Sequence, residues 1–158
     1  MNITSYESDI VAWAREQAAL IRAGRFEHLD LAHIAEEIED VGKSETRELA
    51  NRMAVLLGHL LKWQYQPKKR ETGFSWILTI KDQRKRIAVR LKKTPSLQSS
   101  LHDQDWIDDA WSDALALARK ETGLEDQVGH TVFPEYCPWS MADVLQTDWL
   151  PEDTIEGD

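Results

Sequence analysis

His33 and Glu37 stand four residues apart, Asp40 lies three further on, and His59 sits beside a long apolar stripe. Helical bundles hold divalent or di-iron metals with such groups when imidazoles and carboxylates of facing helices converge, typically through Glu-x-x-His pairs. That pair is missing here, and the nearest pattern, His33-x-x-Glu36, runs in the reverse order. A metal-binding helical bundle using His33, Glu37 and His59 is therefore one reading of the sequence. The other is that each histidine hydrogen-bonds at the edge of a core. Cys137 is the only thiol, with His130 seven residues before it and no Lys or Arg near it in sequence to favour the thiolate. Its expected role is a small side chain holding a proline-rich tail. With no glycine-rich phosphate loop, no cysteine pair at zinc spacing and no strand-turn-serine elbow, no residue is assigned a catalytic role and no cofactor is called for.

The second chemistry is cationic. Between Lys62 and Lys93 lie eleven of the nineteen Lys and Arg residues against only Glu71 and Asp82, a local net of 11 − 2 = +9. The formal charge of the whole chain is −9, so the remainder carries −9 − 9 = −18. Such bipolarity has a plain reading, in which basic and acidic helices face one another across solvated surfaces at about 0–1 kcal/mol per exposed pair. It also has a functional one, in which Arg84, Lys85, Arg86 and Arg90 present a basic face to a partner. Nucleic acid is the weaker choice for residues 75–93. At 100° per residue their basic groups spread over more than one face, no helix-turn-helix spacing is present, and the net charge repels phosphate.

The elements that must position these groups are helices. The stretch 44–66 is the densest apolar run, with Leu49, Met53, Leu56, Leu60 and Trp63 in a 4-3-4-3 spacing widened by Ala50, Ala54, Leu57 and Leu61. At about 1.5 Å per residue it would be roughly 33 Å long, an axis that other helices must cover, stopped by Pro67. Before it, a first helix capped by Thr4 or Ser5 runs to Gly24 with Tyr6, Ile10, Trp13, Leu20 and Ile21 inward, interrupted by Gln17. A second, capped by Asp30, spans 31–41 with Leu31, Ile34, Ala35, Ile38 and Val41 inward, and Gly42 ends it. After a turn over 68–73, a fourth helix from Ser75 to about residue 93 turns Ile77, Ile80, Ile87 and Leu91 inward. A fifth, with Thr94 as cap and Pro95 in its first turn, runs to Thr122 with Leu97, Leu101, Ile107, Trp111, Leu115 and Ala118 inward. Asp103, Asp105, Asp108, Asp109 and Asp113 on it are the expected counterpart of the basic helix. Residues 124–138 read as irregular, Ser140 caps a short last helix over 141–146, and Trp139, Trp149 and Leu150 are expected to plug the core.

At 158 residues the chain fits one domain, taken as 1–151 with a frayed tail over 152–158. One cysteine excludes an internal disulfide, the first residues start no basic-then-apolar leader, and no apolar run is long enough to span a membrane, so a reducing cytoplasm is the expected location. The seven Trp fall mostly at inward positions and are read as core rather than as base-stacking platforms.

Four phrases carry a family resemblance: Tyr6-Glu7-Ser8-Asp9 with Trp13-Ala14, the segment Ala35-Glu36-Glu37-Ile38-Glu39-Asp40-Val41-Gly42-Lys43-Ser44, the run His59-Leu60-Leu61-Lys62-Trp63-Gln64-Tyr65-Gln66-Pro67, and the tail Phe133-Pro134-Glu135-Tyr136-Cys137-Pro138-Trp139. In this order they resemble the bacterial domain-of-unknown-function family 29 over nearly the whole chain. The resemblance implies an all-helical bacterial protein and transfers no activity and no functional residue. Residues and resemblance together predict an all-α bundle of about five main helices and a short C-terminal one. The expected role is that of a non-catalytic interaction or regulatory module whose partner is another protein; the neutralising member of a toxin pair is one form such a module takes.

Overall fold

The computed structural model describes residues 5–70, 74–124 and 132–153. Among these residues are five α-helices: α1 (Ile10–Arg22), α2 (Leu31–Tyr65), α3 (Phe74–Lys93), α4 (Gln104–Thr122) and α5 (Met141–Leu145). Short 3-10 turns occupy Phe26–His28, Pro67–Lys69 and Pro95–His102. No strand occurs among the described residues, so the chain is all-α. It divides into two compact units, residues 1–44 and 45–158, and α2 contributes to both.

In the first unit, α1 starts later than expected. Its N-cap is Asp9, whose carboxylate accepts from the Ala12 amide, while Ser5 accepts from Ser8 in a preceding turn; Thr4 lies outside the described residues. The other end is as expected. Gly24 takes a left-handed φ of 72°, and the Gly24 and Arg25 amides donate back to the carbonyls of Ile21 and Leu20. Asp30 then opens α2, accepting from the His33 amide. The inner faces differ from expectation. Trp13 and Gln17 are buried, whereas Ile10, Ile21, Leu31, Ala35, Ile38 and Val41 are exposed.

Gly42 does not end a helix. α2 runs unbroken through it for 35 residues. A glycine inside a helix costs roughly 1 kcal/mol relative to alanine but still donates and accepts in the ladder. Gly42 has no positive φ and no proline behind it, the two features that turn a glycine into a stop.

The second unit is built on the distal part of α2, as the apolar run foretold. Leu49, Met53, Leu56, Leu57, Leu60 and Leu61 are all fully buried. Around them α3 brings Ile80, Ile87 and Leu91, and α4 brings Trp106, Ala110, Trp111, Ala114, Leu115 and Ala118. Gly58 of α2 lets α4 approach closely. A Cβ on Gly58 would stand 2.6 Å from Leu117 Cδ2 and 3.4 Å from the Ala114 carbonyl oxygen.

The expected fifth helix is two elements. Pro95–His102 is a 3-10 segment that buries Leu97 and Ser100, three residues apart as its period of three requires. Asp103 then breaks the period, taking φ −92° and ψ 109° to cap α4 through its side chain. An aspartate between two helical stretches competes for backbone amides and so favours the cap over the interior.

The tail is held throughout its described part. Phe133 and Val144 are buried, and Trp111, Trp139 and Trp149 form a chain of edge-to-face contacts with centroids 5.5 and 5.8 Å apart. Glu152 and Asp153, expected to fray, are anchored: the Gln64 amide donates to the Glu152 carbonyl, and Arg70 pairs with Asp153. Residues 154–158 and the remaining expected irregular residues, 125–131, lie outside the described residues.

Candidate binding groove

Helix α3 supplies the cations, and the structure sorts them into spent and free. Arg84 is spent on the fold: its Nε donates to the Val144 carbonyl at 2.9 Å and its Nη2 to the Trp149 carbonyl at 2.6 Å, which pins the C-terminal segment. Burial lowers the pKa of its guanidinium. Arg90 reaches Glu45 at 3.1 Å and Glu48 at 3.3 Å, tying α3 to α2. Arg86 pairs along its own helix with Asp82 at 2.8 Å. Lys85 is exposed and in no ion pair among the described residues, as are Lys81, Lys92 and Lys93. The α4 aspartates are therefore not the counterpart of these arginines. Asp103 caps its helix and Asp108 accepts from Gln104.

These residues frame an open groove of about 530 Å³ lined by Glu45, Arg52, Asp82, Lys85, Arg86, Val89, Arg90, Lys93 and Thr94. Five cations and two carboxylates face it, a net of 5 − 2 = +3. Arg52 is mostly buried, with Nη2 on Glu48 at 3.3 Å and its Nε shut in without a hydrogen-bond partner. A buried donor left unmade is a standing penalty. Sequence reading assigned Lys85, Arg86 and Arg90 to a partner but not Arg52 or Lys93. Arg52 lies on α2, and only the pairing of two helices brings it beside α3.

The expected metal residues have other partners. His33 Nδ1 stands 2.6 Å from Asp30 Oδ2, its ring stacks on Tyr6 with centroids 4.2 Å apart, and the Tyr6 hydroxyl donates to Glu37. That bond to a carboxylate pushes the Tyr6 pKa up to about 12. His59 belongs to the other unit. Its Nδ1 donates to the Val55 carbonyl at 2.8 Å and its Nε2 lies 3.4 Å from the Lys62 ammonium. A carbonyl only accepts, so Nδ1 carries the proton and Nε2 accepts from Lys62. The ring nitrogen a metal would use thus already faces a cation. Lys62 is itself buried and paired with Glu121. Among the described residues no group of three His, Cys, Asp or Glu side chains is placed to hold a metal ion. Cys137 is half-buried with its thiol on the Trp139 carbonyl at 3.4 Å, and burial raises its pKa, the opposite of what a nucleophile needs; His130 lies outside the described residues.

Asp30 is the residue that sequence reading undervalued. Beyond capping α2 it accepts from Trp13 Nε1 at 3.0 Å and from the His33 ring. The bond from His33 lowers the Asp30 pKa, and the same bond raises that of His33. His59 shifts the other way, lowered by burial. A proton-resonance titration is therefore expected to find His33 above, and His59 below, the ordinary histidine value of about 6.5. Asp30→Asn should bring His33 down. The sign for stability follows. The His33–Asp30 pair stabilises the first unit fully below about pH 6.5 and fades as pH rises through the raised His33 pKa. On the acid side it holds above about pH 3.9 and is lost as pH falls through the lowered Asp30 pKa. An order of titration with His59 above His33 would contradict both geometries.

The chain is all-helical over its described residues, with a cationic groove beside α3. It belongs to the family described as Domain of unknown function DUF29, whose model matches residues 5–150. No curated protein and no solved structure matches it. No helix among the described residues is long and apolar enough to cross a membrane.

Proposed function

We propose that the chain is a non-catalytic interaction module of the cytoplasm that takes an acidic segment of another protein into the groove between α2 and α3. The observation that supports this reading is the excess of cations facing the groove, with Lys85 and Lys93 unpaired at its rim and the Arg52 Nε unmade within it. Carboxylates of a peptide would meet the lysines in place of water, and a carboxylate or carbonyl oxygen would meet Arg52. An acidic protein segment is preferred to nucleic acid because the acidic remainder of the chain repels an extended polyanion, whereas a short segment need meet only the local field.

The test uses a fluorescent glutamate-rich peptide and a DNA duplex of equal charge, titrated with the whole protein at low and moderate salt. Peptide binding that weakens with salt is expected. In Lys85→Glu combined with Lys93→Glu it should fall by about tenfold or more, on the order of 1.4 kcal/mol. Neither lysine holds the fold, so the circular dichroism spectrum should not change. Arg84 and Arg90 are unsuitable for this purpose because their replacement would loosen the tail and the α2–α3 contact. Peptide binding indifferent to the two lysines, or absent at low salt, would remove the groove from consideration. Tighter binding of the duplex would reassign it to nucleic acid.

A further inference from the structure

The cations that α3 turns to the groove stand in two rows, and only one row is open. At a spacing of four residues, Asp82, Arg86 and Arg90 share one stripe of the helix, and Lys85, Val89 and Lys93 share the stripe beside it. The first stripe is closed by carboxylates of the chain itself: Arg86 pairs with Asp82 at 2.8 Å, and Arg90 with Glu45 at 3.1 Å. The second contains no carboxylate. Lys85 and Lys93 are exposed and in no ion pair among the described residues. Val89 between them is 47% exposed, and among the described residues that line the groove it is the one large apolar side chain.

This open stripe has a fixed spacing. Its members are about 6 Å apart along the helix, so the two lysines are about 12 Å apart with Val89 midway. A segment that is acidic throughout would set a charge on Val89 and lose hydration there without gaining a partner. An apolar side chain at that point instead takes apolar surface out of water, while carboxylates on either side of it meet the lysines. The groove walls select the conformation. Over Glu45–Arg52 and Asp82–Arg90 they are helix interiors, whose backbone groups bond within each helix. The lining carboxylates Glu45 and Asp82 are taken by Arg90 and Arg86. Amides of an extended segment turned toward these walls would find no acceptor, whereas a helix brings its backbone already paired.

From these observations we infer that the partner segment is an amphipathic helix lying along α3, with acidic residues at i and i+8 over Lys85 and Lys93 and an apolar residue at i+4 over Val89. A second helix repeats the rise of α3, so its i, i+4 and i+8 positions fall at the same steps of about 6 Å. This occupant presupposes the acidic-segment reading of the groove and adds to it a spacing and an apolar anchor.

Three fluorescent, alanine-based helical peptides of equal length and charge test it, titrated with the whole protein at low salt beside the glutamate-rich peptide. The first carries Glu at i and i+8 and Leu at i+4. The second replaces that Leu by Ser, and the third moves the Glu at i+8 to i+6, which turns it away from the other two positions. The first is expected to bind about tenfold more tightly than either of the others. Val89→Ser should weaken the first peptide by about the same factor and bind the first and second alike, the outcome of a double-mutant cycle when two side chains touch. Val89 is half exposed, so the circular dichroism spectrum should not change. If the three peptides bind alike while the glutamate-rich peptide binds through the two lysines, the inference is overturned and the acidic-segment reading stands. If the glutamate-rich peptide does not bind, both fall. Equal weakening of the Leu and Ser peptides by Val89→Ser overturns the apolar anchor. A short peptide with Glu, Leu and Glu at every second position matches the same distances only when extended, and its tighter binding would overturn the helix.

Discussion

Leu60→Ala is expected to destabilise the second unit by about 2–5 kcal/mol, measured by urea unfolding followed by far-ultraviolet circular dichroism. Leu60 is 0% exposed, one of six large apolar side chains of α2 that are fully buried. Removing its three outer carbons loses their transfer free energy, about 0.8 kcal/mol for each methylene-sized group. The remainder comes from the cavity left behind, which close packing on several sides prevents from collapsing. Ile80 and Ile87 of α3 and the small residues Ala110, Ala114 and Ala118 of α4 are members of the same cluster. Alanine has no rotatable side chain with which to reach into a gap. The control is Leu78→Ala on α3, where the side chain is 53% exposed, and its effect should stay within about 0.5 kcal/mol. Equal costs at the two positions would mean that α2 is not the axis of this unit.

Leu60 is legible in the sequence in a way that the roles of the arginines are not. Leu49, Met53, Leu56 and Leu60 announce themselves because burial of a helix leaves a period of 3.6 in the sequence, a local signal. The duties of Arg84 and Arg90 leave none. Arg84 bonds a carbonyl 60 residues away and Arg90 a carboxylate 45 residues away, and a basic side chain looks the same in sequence whether it caps a distant segment or faces water. Half of the basic face assigned to a partner is therefore structural, and the free lysines at positions 85 and 93 carry the binding proposal.

Element boundaries failed for a different reason. Gly42 and Asp103 each have a local preference of about 1 kcal/mol or less that can be satisfied in two ways. At Gly42 the helix continues, since nothing downstream competes for its amides. At Asp103 the side chain accepts from the Asp105 and Trp106 amides and the chain turns. The apolar pattern of residues 31–41 was equally ambiguous: a regular stripe predicts a face that wants cover, but not whether the same chain supplies it. Here Ile38 and Val41 remain exposed, so the periodicity that suggested a core marks a face the described residues leave uncovered.

Trp111→Ala is expected to have an effect as large as that of Leu60, about 3–5 kcal/mol, and to show where the C-terminal segment gets its stability. Trp111 is 1% exposed on α4, its ring meets Trp139 edge-on at 5.5 Å, and its Nε1 donates to the Pro134 carbonyl at 3.0 Å. The side chain is thus both core and strap, and the two contributions can be separated. Trp111→Phe keeps most of the apolar volume but leaves the Pro134 carbonyl without its donor. Pro134 is only partly buried, so water can take over in part, and a cost of about 1–2 kcal/mol is expected. The loss in the alanine variant beyond that of the phenylalanine variant then measures packing against Trp139. Hydrogen exchange locates the damage. In both variants the described tail residues, 132–153, should exchange faster than α2, because local opening follows the loss of the contacts that hold a segment down. If the phenylalanine variant matched the wild type in stability and in exchange, the indole N–H would contribute nothing to holding the tail, and Arg84, through the Val144 and Trp149 carbonyls, would be left as its principal anchor.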